Sequence, residues 1–247
     1  MFRRLAATLA LALVVAPAGA QTSDPMNPDR PGVSNGASTV GAGRLQVEIG
    51  GNVFWDEGDK AFDTLPVAVR YGVGKAFELR LESDTVSIHG PDRGVADLFA
   101  GVKWTFHAGN PMLGLMARAR FPTGSRAFRG DAVTPDFTLL ANVPLGQTWS
   151  VEANVALAVQ PVAGEDDRIA QWIYAATVGA AVTSKLQAFA ELSSIGADTR
   201  NGPRQALADA GIAYALKDDL VLDLDVIAGL SSSAPDWGLT GGVSIRF

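Results

Sequence analysis

From Arg44 to the last residue the chain alternates apolar and polar side chains with a period of two, in twelve stretches. They lie at about 44–55, 64–72, 75–84, 95–106, 111–121, 136–145, 148–160, 170–183, 185–194, 204–216, 219–230 and 236–247. Period-two alternation is the mark of a strand with two unlike faces. The final stretch, DWGLTGGVSIRF, carries such a face to Phe247, where a chain end is ordinarily frayed and polar. Something must pair with that strand and cover its apolar side. "RQALADAGIAYAL" has helical propensity, but Ala206, Ala208, Ala210, Ile212, Tyr214 and Leu216 alternate against Gln205, Asp209 and Gly211, so a strand is expected there too.

The connections alternate as well. Short ones fall at 72–75, 107–111, 146–148, 183–185 and 217–219. Longer, more polar ones fall at 56–63, 85–94, 122–135, 161–169 and 195–203, with a smaller one at 231–235. An even number of strands with short turns on one side and long loops on the other is the layout of an up-and-down outer-membrane barrel. A soluble sandwich or lipocalin-like barrel also alternates, with its apolar face inward. The aromatic residues separate the two. Trp55, Tyr71, Trp104, Trp149, Trp172, Tyr174, Tyr214, Trp237 and Phe247 all fall on the apolar face near strand ends, with Phe77, Phe106, Phe121 and Phe137. They form one belt at the long-loop end and another at the short-turn end, as rings that are apolar in body and polar at one edge do at membrane interfaces. Between the belts the face is Leu, Val, Ile and Ala. The predicted fold is an all-β, twelve-stranded antiparallel up-and-down transmembrane β-barrel over residues 44–247. Its last strand pairs with its first, because an open edge in lipid leaves backbone groups unsatisfied.

The opposite face carries the charge: Glu48, Arg70, Glu78, Arg80, Glu82, Asp97, Lys103, Arg118, Arg120, Glu152, Glu191, Asp209, Asp223, Asp225 and Arg246. In a barrel these line the lumen, and they are the expected solute path. Cations gather on the second to fifth strands and acids on the ninth to eleventh. Two arrangements fit: opposed walls that impose a transverse field on passing solutes, or charges paired across neighbouring strands that fill the lumen. Twelve strands lie between the filled eight-stranded barrel and the open sixteen-stranded porin, so size leaves both standing.

Before the barrel, residues 1–20 hold Arg3 and Arg4, an apolar run and Ala18-Gly19-Ala20, the layout of a cleaved secretory signal peptide. Residues 21–43, rich in Pro, Gly, Ser and Asn, read as an extended periplasmic segment outside the barrel, with Asp29-Arg30-Pro31 as a structural turn. Export removes two arginines and no acid, moving the net charge from −6 to −8. An acidic chain with no basic run excludes nucleic acid as a partner. Cysteine is absent, and with it disulfides and Cys metal sites. His89 and His107 fall at opposite ends of the barrel, so they cannot work together. A Ser-His pair of His89 with Ser83, Ser87 or Ser125 is the one hydrolase arrangement the spacing allows, and no enzyme activity is expected. No cofactor or metal site is expected; GPDRG (90–94) and GEDDR (164–168) read as solvated acidic turns.

The chain resembles the MetA-pathway phenol-degradation family. The resemblance rests on DRPGVSNGASTVGAGRLQVEIG (29–50), VRYGVGKAFELRLES (69–83), VADLFAGVKWTF (95–106) and LGLMARARFPTGS (113–125), in that order. It implies an outer-membrane barrel of a Gram-negative bacterium that takes up small, often aromatic, compounds. The partners expected are outer-membrane lipid, a small-molecule solute and, through the C-terminal Phe strand, the outer-membrane assembly machinery. The alternative is a non-transporting structural or surface-binding barrel with a filled lumen.

Overall fold

The computed structural model describes residues 26–162 and 167–247. The expected signal peptide, and most of the acidic turn 164–168, lie outside the described residues. Thirteen strands follow: β1 (Leu45–Asp56), β2 (Asp59–Gly72), β3 (Phe77–His89), β4 (Asp92–Gly94), β5 (Leu98–Ala108), β6 (Met112–Phe121), β7 (Thr134–Leu145), β8 (Trp149–Pro161), β9 (Arg168–Ala181), β10 (Leu186–Ile195), β11 (Gln205–Lys217), β12 (Leu220–Gly229) and β13 (Trp237–Arg246). All pairings are antiparallel between sequence neighbours, except that β3 pairs with β5 around the short β4, and β13 returns to β1. The result is a closed twelve-stranded barrel with β4 as a small appendage on one loop. The 205–217 stretch is a strand, as its alternation requires.

Closure explains the chain end. Phe247 N–H donates to Leu45 O at 2.7 Å and Leu45 N–H donates back to Phe247 O at 3.2 Å. The terminal residue is thus a ladder partner of the first strand, and no backbone edge is left open at that point.

Burial runs opposite to that of a water-soluble protein. Leu79, Leu81, Leu139, Leu192, Leu222, Leu224 and Val226 are exposed on the outside, while Arg70, Lys103, Glu78, Glu48 and Asp225 are fully buried inside. An apolar surface this continuous is stable only against lipid. Near the rim that carries the long connections, Trp55 stacks on Trp237 with centroids 3.8 Å apart, and Trp172 lies 6.4 Å from Tyr174. Near the rim that carries Phe247, Phe77 stacks on Trp104 at 5.8 Å, with Phe106 beside it.

Two expected outer loops are largely strand. The 56–63 connection is a two-residue hairpin turn at Glu57-Gly58, both with positive φ (51° and 84°), the geometry of a type I′ turn. The 85–94 connection is the extended end of β3 folded back as β4. Both segments are polar, so alternation of hydrophobicity vanishes there although the ladder continues above the apolar band. A bulge between Thr64 and Pro66 accommodates a proline that has no N–H for the ladder.

Candidate functional site

Inside the barrel the ladder leaves one face of every strand to be satisfied by something other than lipid, and the segment before β1 supplies much of it. Residues 26–43 run through the lumen. The expectation that Asp29-Arg30-Pro31 lies outside the barrel is therefore corrected. This segment lacks the alternation of a strand, and its partners come from strands far along the chain, so nothing local in it signals where it goes.

Asp29 is the centre of the arrangement. Its carboxylate meets Lys103 Nζ at 2.7 Å, Arg70 at 3.4 Å and Arg80 in a close ion pair, and it accepts the N–H of Gly36. Three cations on β2, β3 and β5 converge on one acid that those strands do not provide. Around it the wall pairs with itself. Arg70 bonds Glu48 (2.7 Å) and Glu78 (2.8 Å), and Arg80 bonds Glu78 (3.0 Å) and Glu82 (2.6 Å). Arg118 reaches Glu82 (2.6 Å) and Asp136 (3.1 Å), and Arg120 lies 3.8 Å from Asp97. On this wall the arrangement is paired and buried rather than an open row of cations. Charge left unpaired at this depth would be costly, which is why each guanidinium has two or more oxygen partners.

The rest of the segment is held by its backbone. Val33 and Ser34 donate their N–H groups to Glu191, Asn35 to Asn154, Ala37 to Asn142 and Val40 to Glu78. Lys103 Nζ also donates to Gly36 O. An irregular backbone needs partners away from bulk water, and lumen side chains provide them from β3, β7, β8 and β10. Ala37 packs on Met116, Leu140 and Met112, a small apolar contact within a polar interior.

Arg30 spans the seam where the barrel closes. Its guanidinium donates to Asp223 of β12 (3.1 Å) and Thr240 of β13 (3.1 Å). It also lies over Gly50 of β1 and Gly242 of β13, which pair with each other. A Cβ built on either glycine would collide with it, so glycine is needed here for the close approach of another group. Replacing Arg30 by Ala should lower stability by about 1.5–3 kcal/mol, the usual worth of hydrogen bonds to a charged group. Lys should not restore it, because only a flat guanidinium fits over the glycine pair. The check is the temperature at which the folded, fast-migrating gel form is lost. Wild-type resistance in Arg30→Lys would show that charge alone matters.

The segment divides the interior. On the long-loop side lies a cavity of about 420 Å³, lined among others by Asp29, Arg30, Pro31, Arg80, Arg118, Asp209 and Leu207. On the other side a cavity of about 390 Å³ is bounded by Ser38–Ala42, Arg44, Lys75 and Arg246. Asp97 accepts the N–H groups of Gly124 and Gly130 and ties down the loop after β6. Glu152 takes a short hydrogen bond from Asn142. Asp209, Asp223 and Asp225 lie buried on the wall opposite the cations.

Phe54, Phe62, Phe99 and Phe189 belong to neither belt and point into the barrel. Phe54 and Phe62 stack with centroids 4.4 Å apart and line the upper cavity. Phe99 lies under the Arg118 guanidinium at 5.4 Å, and Phe189 lines a cavity beneath Arg30. Their position in the alternation, in step with Asn52, Thr64, Asp97 and Glu191, was the available signal.

His89 ends β3 with its ring 6.3 Å from that of Phe62, while His107 Nδ1 lies 2.6 Å from Pro111 O at the other rim. Ser83 donates to Ala96 O, and Ser125 Oγ accepts from Val95 N–H. Among the described residues no hydrogen bond joins a serine to His89.

Comparison with solved structures finds the same fold in several barrels. An outer membrane channel from Pseudomonas putida F1 matches with a TM-score of 0.65 and 12% identity over 87% of this chain and 100% of that one. The NanC porin matches at 0.59 and 11%, over 82% and 100%. The KdgM porin in complex with disordered oligogalacturonate matches at 0.57 and 9%, over 82% and 99%. At these identities the fold is what is shared. No curated protein matches the chain. A family model described as "Putative MetA-pathway of phenol degradation" matches residues 28–247, which takes in the luminal segment as well as every strand. The chain belongs to that family.

Proposed function

We propose that this protein is a channel of the Gram-negative outer membrane, reached through a cleaved signal peptide and strand-end recognition by the assembly machinery. It passes small organic solutes, aromatic ones included, by diffusion, and has no enzymatic step. The observation that carries the reading is the division of the lumen. Two cavities of similar size lie on either side of an irregular segment that is held mainly by polar bonds. Its backbone bonds exchange for water at small net cost and the Asp29 ion pairs hold it most firmly, so the segment can leave where a packed apolar core could not. The Phe54–Phe62 stack in the upper cavity suits a flat ring. The channel-like neighbours and the family's description support the same reading.

A filled, non-transporting barrel is the second reading, and the depth of the Asp29 network favours it. Planar-bilayer recording of the purified full chain separates the two. Discrete conductance steps are expected. A folded, inserted and silent barrel would support the second reading.

A further inference from the structure

The acidic wall has more carboxyl groups than donors to satisfy them. Glu191 is satisfied by the N–H groups of Val33 and Ser34 and the hydroxyl of Thr177, and Asp223 by Arg30. Asp209 pairs in register with Glu191 and sits diagonal to Asp225 across β11 and β12. Asp209 is 5% exposed, and its Oδ1 has no hydrogen-bond donor; Asp225 is 1% exposed. Asp209 lines the upper cavity. The arginines that line the same cavity do not answer it, because Arg30, Arg80 and Arg118 are each bonded to other carboxylates. Asp209 therefore presents to the cavity a carboxyl group with an oxygen that no donor reaches, in a site where low polarisability strengthens electrostatic attraction.

The same lining carries an apolar group, the Phe54–Phe62 stack with Ile195, Leu207 and Ile227, alongside polar Asn52 and Gln205. Its volume of about 420 Å³ falls in the ordinary range for small-molecule sites. A bare metal ion is a poor fit, since among the described residues no three acidic or imidazole side chains stand close enough to hold one. A ligand that complements both features has a protonated amine at one end and a small aromatic or branched apolar body at the other.

We infer that the upper cavity is a binding site for small organic ammonium ions, with Asp209 receiving the amine and the Phe54–Phe62 pair receiving the apolar body. This rests on the reading of the barrel as a channel whose upper cavity solutes enter. The test uses the folded full chain in detergent micelles and titration calorimetry with three one-ring probes: phenethylammonium, 2-phenylethanol and 3-phenylpropionate. Phenethylammonium should bind at least about tenfold more tightly than the alcohol, a difference of about 1.4 kcal/mol, and the carboxylate most weakly. Asp209→Asn should bring the amine down to the affinity of the alcohol. Asp209→Glu keeps the carboxyl group, should keep the preference, and serves if the Asn variant does not fold.

Equal affinity for amine and alcohol in the wild type, or an amine preference that survives Asp209→Asn, would overturn the inference. A barrel that conducts but shows no amine preference refutes this site and leaves the channel standing. One that binds the amine but never conducts refutes the channel and leaves the site.

Discussion

Asp29→Ala is expected to open the barrel. The substitution removes the one acid on which Arg70, Arg80 and Lys103 converge, together with the acceptor for Gly36 N–H. Of carboxylates, Arg70 and Arg80 then keep Glu48, Glu78 and Glu82, and Lys103 keeps only the carbonyl oxygens of Gly36 and Ser38. Losing one partner of a buried ion network costs about 3–5 kcal/mol. The folded strands cannot relax by that much, but residues 26–40 can leave the lumen and let water reach the cations. At 1.4 kcal/mol per factor of ten, the ratio of seated to released segment falls by about a hundredfold or more. In planar bilayers the variant should conduct several-fold more than the wild type and shift toward anions, because Arg70, Arg80 and Lys103 then line the path. Asp29→Asn keeps an acceptor for Gly36 and should fall between the two. Unchanged conductance and reversal potential in Asp29→Ala would show that the segment does not obstruct the path.

Arg70→Met is expected to cost more stability than any surface change in the protein. Arg70 is fully buried and is shared by Asp29, Glu48 and Glu78. Met fills much of the same volume but leaves those carboxylates short of one cation, a loss of about 3–5 kcal/mol. The effect should show as a lower urea midpoint for barrels folded into lipid vesicles, with the slope unchanged because the same surface is exposed on unfolding. Adding Glu78→Gln should recover part of the loss, since the second change removes an uncompensated charge, and the two residues should couple by about 0.5–3 kcal/mol. Additive single and double variants would show that the Arg70–Glu78 pair, although 2.8 Å apart, contributes little.

Much of this molecule is legible along the chain because lipid imposes a local rule. Each spanning strand must show one apolar and one polar face, and neighbouring residues cannot break that period without exposing charge to hydrocarbon. Leu222, Asp223, Leu224, Asp225 and Val226 announce their faces in five letters, and closure follows from the cost of an open edge. Where lipid stops imposing the rule, the reading fails. The polar hairpin through Glu57-Gly58 and the return of β4 look like loops because nothing apolar marks their outer side.

The lumen obeys a different kind of constraint. Arg30 meets Asp223 across 193 positions of sequence, and Ser34 meets Glu191 across 157. Such pairs depend on which strands end up across the barrel from one another, and no periodicity encodes that. The sequence alone determined the strands, their two faces, the aromatic ends and the closed sheet, because each follows from the solvent that a single strand meets. Only the tertiary structure decided that residues 26–43 enter the lumen, that Asp29 completes the pairing of the cationic wall, and that Asp209 keeps an oxygen without a donor. Those outcomes depend on desolvated charges finding partners in three dimensions, where the cost of leaving one unpaired exceeds any local preference of the chain.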